Sequence, residues 1–478
     1  MNKIVVNPIY IILLCLVITA CQSNQKSTEK ISTPPNLVLI LADDLGYADV
    51  GFNGCQDIPT PNIDRIAKEG VKFTNAYVTW AACGPSRAGM LTGRYQDRFG
   101  FSRNPLFAPN DPNQGLPLSE LMLSEALQQA GYKSAIMGKW HLGAHPSQRP
   151  LQRGFNDFFG FLTGGHKYFP EEWTLADEYE VTSQYEAYKT KLLRNDQRIE
   201  ETEYLTDALS REAVNYIGQY KDQPFFIYLS YNAPHGPLQA TEKYLKRFED
   251  IKDKKRRTYA AMVSAVDDGV GLVLQQLKDL NLEENTIVVF LSDNGGPSHR
   301  NGSNNAPLRG RKGQLFEGGI RVPFALRWPS QISSNQVYEP TISSLDIFVT
   351  MVAQNQGKIQ LKNELDGVDL LPYLKGTKEG APHETLFWTF TDRAEIAVRH
   401  QANKLIMGDS LPQLYNLEAD IGETTNIAME QPGLQKDLVA KQQEWLSQMA
   451  EPAFLGLLQN KEYDKLHSDR FKRPVIKD

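Results

Sequence analysis

The stretch Asn36-Leu37-Val38-Leu39-Ile40-Leu41-Ala42, followed at once by Asp43-Asp44, decides how this chain folds. After Asn36 the run has no polar face, so it reads as a strand buried on both sides of a parallel sheet. Acids directly after it stand at the carboxyl end of the strand, where sheets of this kind hold their ligands. The same transition recurs. Pro224–Ser230 is apolar and leads into Asn232-Ala233-Pro234-His235, and Thr286–Ser292 closes with Asp293-Asn294-Gly295-Gly296. Tyr132–Met137 runs into Gly138-Lys139-Trp140-His141-Leu142-Gly143, and Val71–Val78 reads as a further strand before a string at Cys83. Helical spacing fills the intervals at Thr60–Ala67, Ser119–Ala130, Thr206–Tyr220 and Tyr259–Leu280. The expectation is an α/β fold over residues 36–376, a large mostly parallel sheet flanked by helices. Beyond Leu371-Pro372-Tyr373-Leu374-Lys375-Gly376 the texture changes. Short strands at Leu386–Phe390, Glu395–Arg399, Asn403–Met407 and Gln413–Leu417, then a helix at Leu434–Met449, predict a smaller α+β subdomain over 377–478, an antiparallel sheet plus helix.

The amino terminus reads differently. Lys3 precedes an apolar run from Ile4 to Ala20, and Ile18-Thr19-Ala20-Cys21 resembles a bacterial lipobox. Residues 1–21 are therefore expected to be a lipoprotein signal peptide, with lipid on the Cys21 sulfur and residues 22–35 as a polar tether. A plain signal peptide and an uncleaved anchor helix are the alternatives. The expected location is an exported, membrane-anchored lipoprotein, periplasmic or at the cell surface. A net charge of −6 argues against a nucleic-acid partner. Only Cys55 and Cys83 remain after the leader, which is no disulfide framework, and Cys55 reads as a small buried residue.

Chemistry concentrates in Cys83-Gly84-Pro85-Ser86-Arg87, continued by Leu91-Thr92-Gly93-Arg94. Pro85 suits a first helical turn, which sets Cys83 where free N–H groups and the helix dipole favour negative charge. Asp43-Asp44 and Asp293-Asn294 offer only oxygen, a donor set for Ca²⁺ or Mg²⁺ rather than zinc. Together with Gly138–Gly143, Leu308-Arg309-Gly310-Arg311-Lys312-Gly313 and Leu414-Tyr415-Asn416-Leu417, these strings resemble the type I, formylglycine-dependent sulfatases of the alkaline phosphatase-like superfamily.

That resemblance implies the rest. A formylglycine-generating or sulfatase-maturating enzyme oxidises Cys83 to formylglycine. Asp43, Asp44, Asp293 and Asn294, with the oxygen at position 83, hold one divalent ion, Ca²⁺ before Mg²⁺. Arg87, Lys139 and Lys312 are the catalytic cations, His141 lies by the nucleophile, and His235 protonates the leaving oxygen. One hydroxyl of the hydrated aldehyde attacks sulfur and the alcohol departs; the other then expels sulfate and restores the aldehyde. A serine there would be trapped as its ester.

The implied substrate is a sulfated oligo- or polysaccharide, with algal ulvan or carrageenan favoured over host glycosaminoglycan or mucin. Substrate contacts are expected from Arg98, from His166 and Lys167 within Thr163–Phe169, and from His299 and Arg300. Two other functions stay open. One is a phosphomonoesterase or phosphonate hydrolase of the same superfamily. The other is an inactive glycan-binding surface lipoprotein, which would have lost a ligand or a cation, and none is missing here.

Overall fold

The computed structural model describes residues 34–472 apart from residue 356, so the signal-peptide reading and Cys21 lie outside the described residues. No described helix is long and apolar enough to cross a membrane. The strands, in chain order, begin with β1 (Asn36–Ala42), β2 (Val71–Phe73), β3 (Ala76–Tyr77), β4 (Lys133–Lys139) and β5 (Asp157–Phe161). They continue with β6 (Leu193–Arg194), β7 (Gln197–Arg198), β8 (Phe225–Ser230), β9 (Thr286–Ser292), β10 (Phe324–Arg327), β11 (Gln336–Tyr338) and β12 (Ile342–Ser343). The last four are β13 (Thr385–Phe390), β14 (Glu395–His400), β15 (Asn403–Met407) and β16 (Gln413–Asn416).

Among the described residues, ten strands form one sheet in the order β11-β2-β10-β9-β1-β8-β4-β5-β6-β7. The middle of that order, β9-β1-β8-β4-β5, is parallel throughout. Both faces of β1 are buried, as its unbroken apolar run requires. Val38 and Ile40 pack with the helices Leu205–Tyr220 and Lys254–Asp279 on one side. Leu37, Leu39 and Leu41 pack on the other side with Leu91, from the helix Cys83–Thr92, and with Leu123 and Leu127, from the helix Leu123–Gln129.

Register aligns the ends of the central strands. Ala42 pairs with Ser292, Leu41 with Ser230, and Gly138 with Ser230. The residues that follow β1, β9, β8 and β4 therefore emerge at one level. Gly138 has a φ of +105°, and a Cβ there would run into the Ser230 carbonyl oxygen, so only glycine lets β4 keep its partner at this point.

Two expectations change. The strand predicted over Val71–Val78 breaks at Thr74-Asn75 because the chain exchanges partners: the Thr74 N–H bonds Tyr338 O and the Val78 N–H bonds Ile320 O. The Cys83 string thus follows β3, which pairs with β12 outside the main sheet. The helix expected from Ser119 starts only at Leu123, where the Met122 N–H is taken by Glu125 Oε2 at 2.7 Å.

The carboxyl-terminal strands form a separate antiparallel sheet, β13-β14-β15-β16. Trp388, Phe390, Ala397 and Ile406 on one face pack against Tyr77, Trp80 and Ile320. Val398, Leu405 and Leu414 on the other face pack with Leu438 of the helix Pro432–Leu446.

Candidate active site

Sequence-distant acids meet where β1 and β9 end side by side. Ligand atoms of Asp43, Asp44, Cys83 and Asp293 all lie within 4.8 Å of one another, and every one of these residues is buried. Asp44 takes a left-handed backbone, φ 66°, which turns the chain so that its N–H donates to Asp293 Oδ1 at 3.2 Å. Asn294 donates through Nδ2 to Asp44 Oδ1 at 2.7 Å, while its own buried Oδ1 has no hydrogen-bond partner. A carbonyl oxygen orphaned beside three carboxylates fits a hard cation. Three of the four clustered groups offer carboxylate oxygen and the fourth is the Cys83 sulfur.

The protein's own cations bind these acids from below and from the side. Arg87 is fully buried and holds Asp293 Oδ2 with Nε at 3.0 Å and Nη2 at 2.9 Å; its Nη1 donates to Ser230 Oγ at 2.6 Å. Lys139 Nζ lies 2.6 Å from Asp43 Oδ2. Lys312 Nζ is 2.6 Å from Asp44 Oδ1 and donates to Cys83 Sγ at 2.9 Å. Burial would raise Asp44, but Lys312 and His235 hold its carboxyl at about 2. Burial pushes Asp293 up to about 6, and the Asp43 charge adds to it.

Cys83 opens a ten-residue helix with every residue buried, and Ala82 caps it in an extended conformation. The Gly84 N–H in the first turn is taken by Asn104 Oδ1 at 2.8 Å. Burial, then the charge of Asp43, pushes the Cys83 thiol up to about 12. An unmodified thiol here stays protonated at neutral pH and is a poor nucleophile.

A cavity of ≈ 430 Å³ opens over Cys83, and His141, His235 and Lys312 line it; Arg87 and Lys139 lie beneath its floor and do not. His141 has a φ of 58°, unusual for a non-glycine residue, and its buried Nδ1 has no partner. Gly164 faces the ring so closely that a Cβ would stand 2.7 Å from Nε2. Burial and the surrounding cations drive His141 well below the usual histidine range. Burial likewise takes His235 to about 3, against the pull of Asp44. Its Nδ1 lies 2.6 Å from Gly236 O, which fixes the N–H there and leaves Nε2 as the free nitrogen, 3.7 Å from Asp44 Oδ2.

The expected substrate residues divide. His299 and Arg300 line the cavity. Arg98 does not: its Nη2 lies 2.6 Å from Asp366 Oδ1, and it stands in a different depression with Tyr95 and Trp445. His166 is fully buried, with both ring nitrogens on backbone oxygens, Lys167 O at 2.9 Å and Thr190 O at 2.8 Å. Lys167 pairs with Glu172 at 2.8 Å. None of these three lines the cavity over Cys83. Cys55 is only half-buried, its Sγ donating to Asp57 Oδ1 at 3.4 Å. The sequence reading missed Asn104, Tyr188, Trp80, Arg311 and Arg393, all of which line the cavity. Arg311 lay within a quoted motif; Arg393 lies in the β13–β14 turn and carried no local signal.

A buried oxygen cluster with fixed cations, set beyond the carboxyl ends of a parallel sheet beside a helix-initial cysteine, defines a hydrolase of the alkaline phosphatase-like fold. The chain belongs to the sulfatase family, whose family model matches residues 35–355, and it is a sulfuric ester hydrolase. It is 34% identical over 394 residues to N-acetylgalactosamine-6-sulfatase of Homo sapiens, covering 76% of this chain and 73% of that protein. The crystal structure of Ps i-CgsB superposes with a TM-score of 0.84 at 38% identity, over 92% of this chain and 100% of that one. The structure of Ps i-CgsB in complex with k-i-k-neocarrahexaose gives the same TM-score, 0.84, and the same 38% identity. Phosphonate monoester hydrolase of Agrobacterium radiobacter shares the fold at 22% identity, with a TM-score of 0.63 over 87% of this chain and 95% of that one.

Proposed function

We propose that this sulfatase desulfates a sulfated polysaccharide of carrageenan type, with Cys83 converted to formylglycine and Ca²⁺ held by Asp43, Asp44, Asp293 and Asn294. The observation that carries this reading is the buried meeting of Cys83 with three carboxylates, an unpartnered amide oxygen and three cations. Formylglycine supplies a hydroxyl nucleophile with a built-in exit, and the cation supplies Lewis acidity. The chain's own residues do the rest. Arg87 and Lys139 fix Asp293 and Asp43 so that the oxygen cluster is preorganised. Lys312 presents its ammonium from the cavity wall to the sulfate oxygens. His235, with Nε2 free, faces the departing sugar oxygen. An anionic sulfate beside that nitrogen raises its proton affinity from the low value set by burial, so substrate and proton arrive together.

The sugar assignment follows the 38%-identical relative solved with k-i-k-neocarrahexaose. A second reading, a glycosaminoglycan sulfatase, is favoured by the 34%-identical N-acetylgalactosamine-6-sulfatase. Sulfate release from carrageenan oligosaccharides and from N-acetylgalactosamine-6-sulfate glycans, side by side, decides between them; phosphate release from matched phosphate esters would overturn both. The peptide containing Cys83, taken from active enzyme, is expected to have lost hydrogen sulfide and gained one oxygen atom. An intact thiol there overturns the nucleophile. Residues 1–21 are retained as a lipoprotein signal peptide, checked by lipid labelling of wild type against Cys21→Ala.

A further inference from the structure

The cavity over Cys83 continues beyond the scissile pocket. At Gln314, Asp392 and Arg393 it meets a second cavity of ≈ 470 Å³, lined also by Phe316, Glu395 and Ser410. The ridge between them is a stack. Trp80 and Phe390 lie face to face at 4.7 Å and 11°, and the Arg393 guanidinium sits 4.8 Å over Phe390. Arg393 Nη1 also donates to Gly313 O at 2.7 Å, which tethers this exposed side chain beside the loop that carries Lys312.

Charge at this rim is unbalanced. Among the described residues, Arg300, Arg311 and Arg393 have no carboxylate at ion-pair distance, whereas most other arginines of this chain do. Asp392, the acid next to Arg393, is already occupied by Arg103 Nε at 2.8 Å and Gln459 Nε2 at 2.9 Å. Unmatched cations around an opening, in a chain of net charge −6, are the chemistry that receives an anion. The second cavity differs, because Glu395 and Asp409 line it and suit sugar hydroxyls as donors.

We propose that the substrate is an extended, multiply anionic glycan that crosses the Arg393 ridge into the second cavity, with Arg393, backed by Arg311 and Arg300, binding a second sulfate on a neighbouring sugar. This rests on the sulfatase reading above and adds a specificity residue to it. A monosulfated sugar would leave the ridge arginine unused.

The test uses the full, matured chain with three substrates: an aryl sulfate, a monosulfated disaccharide and a multiply sulfated hexasaccharide. Arg393→Ala is expected to raise KM for the hexasaccharide about tenfold, the size of one charge-assisted contact, with kcat unchanged. Aryl sulfate kinetics are expected to change much less than hexasaccharide kinetics, and added salt raises the hexasaccharide KM less steeply in the variant. Ser410→Trp, which fills the second cavity, raises KM for the hexasaccharide and not for the disaccharide. Equal losses on the aryl sulfate would make Arg393 merely structural, and an unchanged hexasaccharide KM would overturn the subsite. Calorimetric titration of the hexasaccharide into Cys83→Ala, with and without Arg393→Ala, needs no turnover. Weaker binding in the double variant supports the ridge even if the sulfatase reading fails, and equal binding overturns it.

Discussion

Asp293 stands between two forces: burial and Asp43 push its carboxyl up to about 6, while Arg87 grips one of its oxygens. Three carboxylates this close repel one another, and a divalent ion relieves that repulsion better than a proton does. Asp293→Asn is therefore expected to abolish tight Ca²⁺ binding, read by titration calorimetry on the purified protein, and to cut sulfate release by at least about 100-fold. His235 is tested by leaving group. On a sugar sulfate, whose alkoxide leaves poorly, His235→Ala should lose about 100- to 10,000-fold in kcat; on an activated aryl sulfate it should lose much less. Equal losses on the two substrates would remove its acid role. The types and spacing of these residues were legible in the sequence. The orphaned oxygen of Asn294 and the left-handed backbones of Asp44 and His141 were not, since each is a property of packing.

At the scale of elements, Lys404 in β15 shows what alternation along a strand conceals. A lysine usually stays in water, yet this one, two residues from Ile406 on the packed face, is fully buried, with Nζ 2.9 Å from Glu317 Oε1 and 2.9 Å from Glu423 Oε1. Burial would raise Glu317, but Lys404 and Arg321 hold it at about 2. Glu423 Oε2 accepts the Glu317 N–H at 2.7 Å, so this knot ties the chain that carries Lys312 to the carboxyl-terminal sheet. Lys404→Met leaves the buried Glu423 without a cation and Glu317 with Arg321 alone, and is expected to cost about 3–5 kcal/mol, measured by urea unfolding. A second tie has a pH signature. Burial would lower His383, but Asp346, 2.7 Å from its Nε2, raises it above the ordinary 6.5. A raised folded-state value means the pair stabilises fully below pH 6.5 and loses that contribution as pH climbs through the folded value. The melting temperature of wild type should thus fall more steeply above pH 6.5 than that of His383→Gln.

For the molecule as a whole, metal and stability are one measurement. A cation bound only by the folded cluster stabilises it by about 2.7 kcal/mol at one hundred times its Kd, so Ca²⁺ should raise Tm and a chelator should reverse the gain. Asp44→Asn should show neither effect. Much of the architecture followed from the sequence alone. Unbroken apolar runs mark strands buried on both faces, helical spacing marks the covering layers, and polar clusters at strand ends mark the site, because each signal is local to a few residues. Which charges are spent and which are free was decided only in three dimensions. Arg98 is neutralised by Asp366, 268 residues away, His166 is sealed between backbone carbonyls, and Arg393 is left open on the ridge. A cation's availability depends on the partner that folding brings to it, and no spacing along the chain records that.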